Sequence, residues 1–321
     1  MDDASSVAVA VAVISIAKLM IGWLMYGHKH RKYQHVGTVS SLRCYPVKSC
    51  QAVHTQQARA TVLGLNLDGV TDRHWLITKY NGDFISQRQC PEMALISVSI
   101  LGNDIQLDAP GMTSLTLPKN PPLNKSKVGR VRVWETRIEA LHCGQEASDW
   151  VSKFLGIEGL QMGFFAPGLK VRDTSNEPKP WGFVALPGDL SAYSDFGAYL
   201  VTNEASLEDL NERLEKKVTM TNFRPNIVIK GCKAFDEDNW LEIRIGDKVY
   251  FRVQDPCTRC SLTTVDPEKG VKDPKMEPLA TLKKFRGYPP YEVEGPCFGV
   301  NAAIDYPGNI QVGDPVYVLR K

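Results

Sequence analysis

Most of the chain after residue 35 consists of short runs in which hydrophobic and polar residues alternate, separated by turn residues. The segment HWLITKYNGDFISQRQ places two such runs around Asn81 and Gly82, a pair that is typical of a two-residue hairpin turn. The segments ISVSILGNDIQLDA and GRVRVWETRIEALH also predict strands. The pattern therefore predicts a mainly β protein of the α+β class.

Two stretches depart from this alternation and predict helices. The first covers residues 145–155 and ends at Gly156. The second begins at Ser206, where the sequence approximates a capping box, and continues into LNERLEKK. Between them, residues 162–197 are rich in Pro and Gly and lack periodicity, which favours a domain junction and a loop that helps to line a functional site.

Strands return after the second helix. They are predicted in PNIVIKG, WLEIRIGDKVYFRV, CSLTTVD, NAAID and DPVYVLR. Two Gly-Asp turns, at residues 246–247 and 313–314, are each followed by a Val-Tyr pair, which fits two similar turns of a barrel. We expect two β-rich domains, residues 36–170 and 171–321. The sequence contains no glycine-rich phosphate loop, which argues against a nucleotide-driven enzyme.

The first 35 residues differ from the rest of the chain and predict a membrane anchor with a basic flank. Residues 7–26 are long and apolar enough to cross a bilayer, and the basic flank that follows them places the rest of the chain on the cytosolic side. No small-residue cleavage site follows Tyr26, so we expect an N-terminal transmembrane helix that stays attached. The charge of Lys18 makes the span only marginally hydrophobic. This is typical of mitochondrial outer-membrane signal anchors, and the endoplasmic reticulum membrane is the alternative.

Charge and cysteine content narrow the functional class. The formal net charge is +2, and no stripe of Lys and Arg interleaved with aromatic residues occurs after residue 35. Nucleic acid is therefore not an expected partner. The 8 cysteines lack the dense, regular spacing of a secreted disulfide scaffold, and a cytosol-facing domain should keep them reduced.

Cys257 and Cys260 lie three positions apart in DPCTRCSLTTVDP, ahead of a predicted strand. Four interpretations are open: a redox dithiol, half of a zinc site, one thiolate ligand of a metal otherwise held by a cofactor, or two packed thiols. A redox pair favours the start of a helix, and zinc needs two further ligands for which no second Cys-x-x-Cys or His-x-His pair is present after the anchor. For the third interpretation, Arg259 would favour a thiolate nearby.

Several polar residues at strand ends could hold an anionic group. Lys48 and Ser49 follow a proline, Arg73 precedes a strand, and Arg224 and Asn226 flank a proline that fixes their loop. Ammonium, guanidinium, hydroxyl and amide groups are the donors that bind phosphate and heterocycles. Each of these residues by itself is most often a solvated or ion-paired surface group.

Seven motifs in order carry a resemblance to a known family: YPVKSC, DRHWLI, SQRQCPEMALI, NFRPNIVIKG, DEDNW, CTRCSLTTVDP and GDPVYVL. From about Val36 to the C-terminus the chain resembles the MOSC family of molybdenum enzymes, in particular its membrane-anchored members that reduce amidoximes. The resemblance implies an N-terminal β-rich MOSC domain and a C-terminal, β-barrel-like MOSC domain that binds the molybdenum cofactor (Mo-molybdopterin). It also implies small N-hydroxylated substrates, such as amidoximes and hydroxylamines, and electrons from NADH through NADH-cytochrome b5 reductase and cytochrome b5.

The same resemblance implies roles for individual residues. Cys260 would be the molybdenum ligand and the catalytic residue. The cofactor would be held by Lys48, Ser49, Arg73, Asp195, Arg224, Asn226, Thr258, Arg259 and Cys260. After Asp195 this chain has Phe196-Gly197, where the family often has small or hydroxyl residues.

A non-catalytic molybdenum cofactor carrier is the alternative function, because MOSC domains also form the C-terminal part of molybdenum cofactor sulfurase. The sulfurase needs a large pyridoxal-phosphate domain upstream, and only the expected anchor and its flank precede residue 36. We therefore expect neither sulfurase activity nor pyridoxal phosphate binding. A membrane-tethered interaction scaffold is a third interpretation.

Overall fold

The computed structural model describes residues 32–177, 184–287 and 295–321. The anchor expected over residues 7–26 lies outside this part of the chain. Among the described residues, no helix is long and apolar enough to cross a membrane. Residues His35–Lys321 form one compact unit.

The described residues form many short strands and few helices. The strands of the first half are β1 (Gln34–Cys44), β2 (Val53–Thr55), β3 (Gln57–Thr61), β4 (Gly64–Leu67), β5 (Val70–Thr71), β6 (Trp75–Thr78), β7 (Ser97–Leu101), β8 (Asp104–Asp108), β9 (Leu115–Pro118), β10 (Val128–Val133), β11 (Thr136–His142) and β12 (Gln161–Phe164). Those of the second half are β13 (Arg172–Asp173), β14 (Leu190–Ser191), β15 (Tyr199–Asn203), β16 (Ile227–Lys230), β17 (Trp240–Ile245), β18 (Val249–Thr258), β19 (Val265–Asp266), β20 (Val271–Lys272), β21 (Cys297–Tyr306), β22 (Gly308–Gln311) and β23 (Pro315–Arg320). The helices are α1 (Gln145–Leu155), α2 (Glu204–Glu212) and α3 (Leu279–Phe285).

A closed barrel is the largest element of the fold. Its strands pair in the order β16, β15, β21, β18, β17, β23 and β1, and β1 pairs again with β16, which closes the ring. β15 and β16 pair in parallel, which requires a crossover, and α2 lies between them in the chain. The pairs β15–β21, β21–β18, β18–β17, β17–β23 and β1–β16 are antiparallel. The expectation of a mainly β, barrel-like protein is therefore confirmed.

The barrel interior is filled by side chains from alternate positions of its strands. In β17, Trp240, Ile243 and Ile245 are buried, and a register shift after Trp240 keeps the three on the inner side. They join a buried cluster with Phe251 and Val318 from the neighbouring strands. The interior is thus a packed core, and any site must be built by the loops at the ends of the strands.

Most of the other described strands form smaller sheets. β10, β11, β12 and β6 form one sheet, β7, β8 and β9 form another, and β22 pairs with β3 in a third. β1 and β3 therefore pair with strands from beyond residue 170. The division into residues 36–170 and 171–321 stays a prediction, but the two parts share sheets across that boundary.

The predicted elements that depend on residues close together in the sequence are present in the structure. Residues 145–155 form α1, which ends at Gly156 in the left-handed conformation (φ 64°), as predicted. The turn at Asn81-Gly82 also forms, but only the single bridge Thr78–Phe84 continues it. The segment after this turn instead contacts β10, where Arg132 Nε donates a hydrogen bond to the Asp83 carboxylate at 2.7 Å.

The second predicted helix forms with different limits, and the strand predicted after Cys260 is wrong. The second helix begins at Glu204 rather than Ser206, because Asn203 caps it by accepting a hydrogen bond from the Ala205 amide at 3.0 Å. It ends at Glu212, before most of LNERLEKK. The segment after Cys260 is not a strand: Ser261–Thr264 form one 3-10 turn, and only Val265–Asp266 are extended.

Candidate active site

The residues that the sequence singled out come together around one cavity of about 440 Å³. They lie on separate stretches of the chain: the β1–β2 loop, the approach to β6, the loops before β15 and β16, and the end of β18. All of the expected site residues line it: Lys48, Ser49, Arg73, Asp195, Arg224, Asn226, Thr258, Arg259 and Cys260. The set is therefore assembled by the fold, and the role of each residue toward a cofactor stays a prediction.

Four residues around the cavity have a backbone conformation that is rare outside glycine. The φ angle is 69° at Ser49, 49° at Arg73, 57° at Arg224 and 55° at Trp134. A left-handed conformation of this kind costs on the order of 1 kcal/mol or more for a residue with a Cβ atom, and such residues cluster at functional sites. The fold therefore accepts local strain in the loops that form the cavity wall.

Arg224 is a deeply buried cation of the cavity, with 7% of its surface exposed. Its Nη1 donates to the Cys50 carbonyl at 2.7 Å, and its guanidinium stacks on the Tyr45 ring at 4.3 Å. Its Nη2 is buried and finds no hydrogen-bond partner among the described residues. Burial lowers the pKa of Arg224 to about 10, because a desolvated charge without a counter-ion is unfavourable. An anion in the cavity would supply the missing partner.

Lys48 is a second buried cation, and it is partly compensated. Its Nζ donates to the Tyr193 carbonyl at 2.8 Å and to the Asp195 carboxylate at 2.5 Å. Burial lowers the pKa of Lys48 to about 8, although Asp195 acts in the opposite direction. Packing around Asp195 opposes its ionisation, but the charges of Lys48 and Arg88 hold its pKa well below the usual range. The side chain of Asp195 is 53% exposed, so it presents an anion to the cavity.

Arg73 is held in place by a network behind the cavity. Its guanidinium bonds the buried carboxylate of Asp72, which also accepts from the Tyr45 amide at 2.7 Å. Asn226 donates to Asp72 at 2.9 Å and accepts from the Leu200 amide at 3.1 Å. The amide of Asn226 is thus engaged in holding the loops together. Asp72 was missed by sequence reasoning, since an Asp beside an Arg carries no signal of burial.

The two cysteines of the Cys-x-x-Cys pair have different surroundings. The Cys257 thiol is partly buried and accepts a hydrogen bond from Arg259 Nη1 at 2.9 Å. Burial raises the pKa of Cys257, and the charge of Arg259 opposes that shift. Cys260 is exposed, and its Sγ lies 3.7 Å from Arg88 Nη1. Arg259 therefore contacts Cys257, while Cys260 is the accessible thiol of the cavity.

The alternatives for this pair can be narrowed. All the cysteines are free thiols, so no disulfide links Cys257 to Cys260. Across residues 32–177, 184–287 and 295–321, no group of three or more His, Cys, Asp or Glu side chains could hold a metal ion. A closed zinc site therefore has no further ligands in the described chain. A single thiolate that completes the ligands of a cofactor metal remains compatible with the geometry.

Two further residues of the cavity were missed by the sequence analysis. Arg88 lies beyond β6, and Trp134 lies in the β10–β11 turn, so both come from the first half of the chain. Trp134 Nε1 donates to Asp195 at 3.1 Å, and the Arg88 guanidinium lies 4.4 Å from the centre of the Trp134 ring. No local pattern marks either residue, because their position depends on how the first half packs against the barrel loops.

Comparison with known proteins gives the family. Residues 36–158 match the MOSC N-terminal beta barrel domain, and residues 190–317 match the MOSC domain. The chain is 41% identical to the mouse mitochondrial amidoxime-reducing component 1 over 96% of this chain and 91% of that protein. It is 42% identical to the human component 1 over 91% and 86%, and 40% identical to the human component 2 over 96% and 92%. The chain belongs to the MOSC family, in the group of the mitochondrial amidoxime-reducing components.

Proposed function

We propose that this protein is a molybdenum-cofactor-dependent reductase of N-hydroxylated compounds, such as amidoximes and hydroxylamines. The observation that carries the proposal is one cavity that combines an exposed thiol, Cys260, with a buried guanidinium, Arg224, whose Nη2 lacks a partner among the described residues. The names of the relatives, which refer to amidoxime reduction, support the reaction class.

The donors of the cavity fit a phosphate-bearing pterin cofactor. Besides Arg224 Nη2, the Nε atom of Arg259 is buried and has no hydrogen-bond partner within the described chain. Both atoms belong to guanidinium groups, which bind phosphate through paired N–H donors. A thiolate is a soft ligand that suits a sulfur-rich metal centre. A cofactor of this kind would accept hydrogen bonds from the two unpartnered guanidinium atoms, and the accessible thiol of Cys260 would bind its metal.

On this proposal, the cavity residues bind different parts of the cofactor. Lys48, Arg73 and Arg224 would hold the anionic part of the cofactor, and Cys260 would contribute its sulfur to molybdenum. Ser49 and Thr258 line the cavity and can add hydroxyl hydrogen bonds.

The supporting groups keep these residues in place. Asp72 and Asn226 fix Arg73, and the Cys257–Arg259 contact fixes Arg259 beside the metal ligand. Leu200 and Phe223 give the cavity an apolar side that limits water. When bound, the molybdenum cofactor would supply the two-electron removal of the N–OH oxygen.

The electron source and the location are part of the same proposal. Electrons would come from NADH through NADH-cytochrome b5 reductase and cytochrome b5. Residues 7–26 would anchor the protein in the mitochondrial outer membrane with the catalytic part facing the cytosol, and the endoplasmic reticulum membrane is the alternative. The word "mitochondrial" in the names of the relatives supports the first location.

Metal analysis and a coupled assay test the activity. The purified full-length protein is analysed for bound elements, and NADH oxidation is followed with cytochrome b5, its reductase and benzamidoxime. We expect stoichiometric molybdenum and NADH oxidation that requires all three additions. Stoichiometric zinc without molybdenum would overturn the proposal, and molybdenum without turnover would favour the cofactor carrier.

Fractionation tests the anchor. Deletion of residues 1–35 should move the protein from the membrane to the soluble fraction while its turnover per molybdenum is retained. Continued membrane association of the shortened chain would contradict the proposed anchor.

A further inference from the structure

Arg88 is a cation beside the accessible thiol that none of the proposed cofactor contacts uses. Its Nη1 lies 3.7 Å from Cys260 Sγ, and its backbone is fixed at two points. The Arg88 amide donates to Ser86 Oγ at 3.3 Å, and the Arg88 carbonyl accepts from Lys272 Nζ at 2.7 Å. The guanidinium is therefore held next to the place where a metal ligand is expected.

The guanidinium of Arg88 contacts aromatic rings directly, and the Asp195 carboxylate lies near it without forming a salt bridge to it. Its guanidinium lies 4.4 Å from the centre of the Trp134 ring and 5.7 Å from that of Phe84. Among the described residues it forms no salt bridge, and its one hydrogen bond is the weak contact with Cys260 Sγ. Most of its five N–H donors are thus available to a ligand.

Trp134 is a rigid surface beside this cation. Its side chain is 44% exposed. Its backbone φ of 55° is rare for a large aromatic residue. The bond from its Nε1 to Asp195 and the stacked Arg88 fix the orientation of the ring. An exposed indole held in a strained turn at a cavity is suited to binding a planar group.

The proposed reaction changes the charge of its organic partner. An amidoxime is neutral at pH 7; two electrons and two protons convert it to an amidine and water, with cleavage of the N–O bond. The amidine is a strong base and takes up a further proton to become a planar cation. A guanidinium at the reacting end therefore favours the substrate, whose N–OH oxygen accepts a hydrogen bond, and repels the product. The nearby Asp195 carboxylate does not cancel this repulsion, because its charge is already compensated by Lys48 at 2.5 Å.

Resting on the proposed function, we propose that Arg88 and Trp134 form a substrate-binding pair that accepts a neutral, planar N-hydroxy group and expels its cationic reduced product. Trp134 contacts the plane of the conjugated group, and Arg88 donates to the N–OH oxygen. Arg88 is thus a substrate-binding residue that also promotes product release. Neither residue belongs to the set expected to hold the cofactor.

The test compares substrate and product in one variant. In Arg88→Gln, the KM for benzamidoxime should rise roughly tenfold, because a charge-assisted hydrogen bond is lost. The inhibition constant of benzamidine should fall about fivefold, because a like charge has been removed. Arg88→Lys keeps the charge but not the planar fork, so weak inhibition by benzamidine should persist while the KM rises. Arg59→Gln, an exposed arginine of β3 outside the cavity, is the matched control and should change neither constant.

Calorimetry gives the same comparison without turnover. Benzamidoxime and benzamidine are titrated into the molybdenum-loaded protein without an electron donor, and the two dissociation constants should shift in opposite directions in Arg88→Gln. Unchanged constants, or equal weakening of both ligands, would overturn the role of Arg88. A wild-type protein that binds both ligands but does not reduce benzamidoxime would overturn the proposed function while still testing Arg88 through the titration.

Discussion

Two clusters of charged residues in this molecule are built in different ways. In the acidic segment, residues 236–238, Asp236 bonds Arg320 at 2.6 Å and Asp238 bonds Arg286 at 2.7 Å. In the cavity, the cations outnumber the carboxylates, and Arg224 Nη2 has no partner within the described residues. Charges that the chain matches internally serve the fold, whereas charges left unmatched inside a cavity imply a ligand of opposite sign.

The middle residue of the acidic segment shows that the first cluster is not uniformly matched. Glu237 is fully buried, and its carboxylate accepts from Ser206 Oγ at 3.0 Å and from Asn203 Nδ2 at 3.3 Å. Burial raises the pKa of Glu237 to about 7, although these hydrogen bonds act in the opposite direction. A buried charge can thus be tolerated through hydrogen bonds, but with a measurable dependence on pH.

The largest expected effect concerns the thiols of the cavity. Cys260→Ala should abolish benzamidoxime reduction, because the exposed thiol is the proposed metal ligand, while Cys257→Ala should retain much of it. Turnover per folded protein, measured by NADH oxidation, checks this, with melting temperatures as the control for folding. Equal loss in both variants would favour a dithiol mechanism and contradict the assignment of one ligand.

Two substitutions test whether a cation in an ion pair stabilises the fold and a cation without a counter-ion binds a ligand. Arg286→Gln breaks an ion pair whose side chains are each 12% exposed, so it should lower the free energy of unfolding by about 3 kcal/mol. Arg224→Gln removes a desolvated charge and a proposed donor to the cofactor, so it should lower molybdenum affinity about tenfold with a smaller change in stability.

Urea unfolding of protein produced without molybdenum, together with molybdenum content after dialysis, measures both quantities. We expect Arg286→Gln to keep its molybdenum per folded molecule. A loss of stability for Arg224→Gln as large as that for Arg286→Gln would mean that the cavity cations serve the fold after all.

The smallest expected effect is the pH dependence of Glu237. Its pKa in the folded protein, about 7, lies above its ordinary value of 4.5, so the folded state binds more protons between these limits. Stability from this group is complete below pH 4.5 and is lost as the pH rises through 7, by on the order of 2–3 kcal/mol. Glu237→Gln should remove that slope in urea unfolding between pH 5 and 8. An unchanged slope would assign it to other groups.

The parts of the fold that sequence predicts are those with local causes. The limits of α1 follow from its hydrophobic face and Gly156, and β7 and β8 follow from alternation around a short turn. Closure of the barrel has no local sequence signal, because it depends on contacts between distant residues. For example, the Ser40 hydroxyl donates to the Val228 carbonyl, 188 residues further along the chain. The error at Ser206 has a tertiary cause, since its hydroxyl bonds the buried Glu237 instead of capping a helix.

The site divides in a similar way. The residues of the cavity that carry recognisable motifs were predicted, and the structure brings them together. Arg88, Trp134 and Asp72 were not, because an Arg, an exposed Trp in a turn and an Asp beside an Arg have many ordinary uses. Their surroundings arise only when the turn between β10 and β11 meets the loop before β15, as the Trp134–Asp195 bond shows.

The closure of the barrel through β1 has a consequence for folding during synthesis on the ribosome. β1 is the first of the described strands to be made, yet its two partners in the ring, β16 and β23, come much later in the sequence. Until then β1 presents an unpaired edge, which invites association with other chains. The cavity loops likewise take their final places only after all the strands of the ring have been made. A ligand of the cavity can therefore bind in its final position only after the ring has closed, and the unpaired edge of β1 is exposed until then.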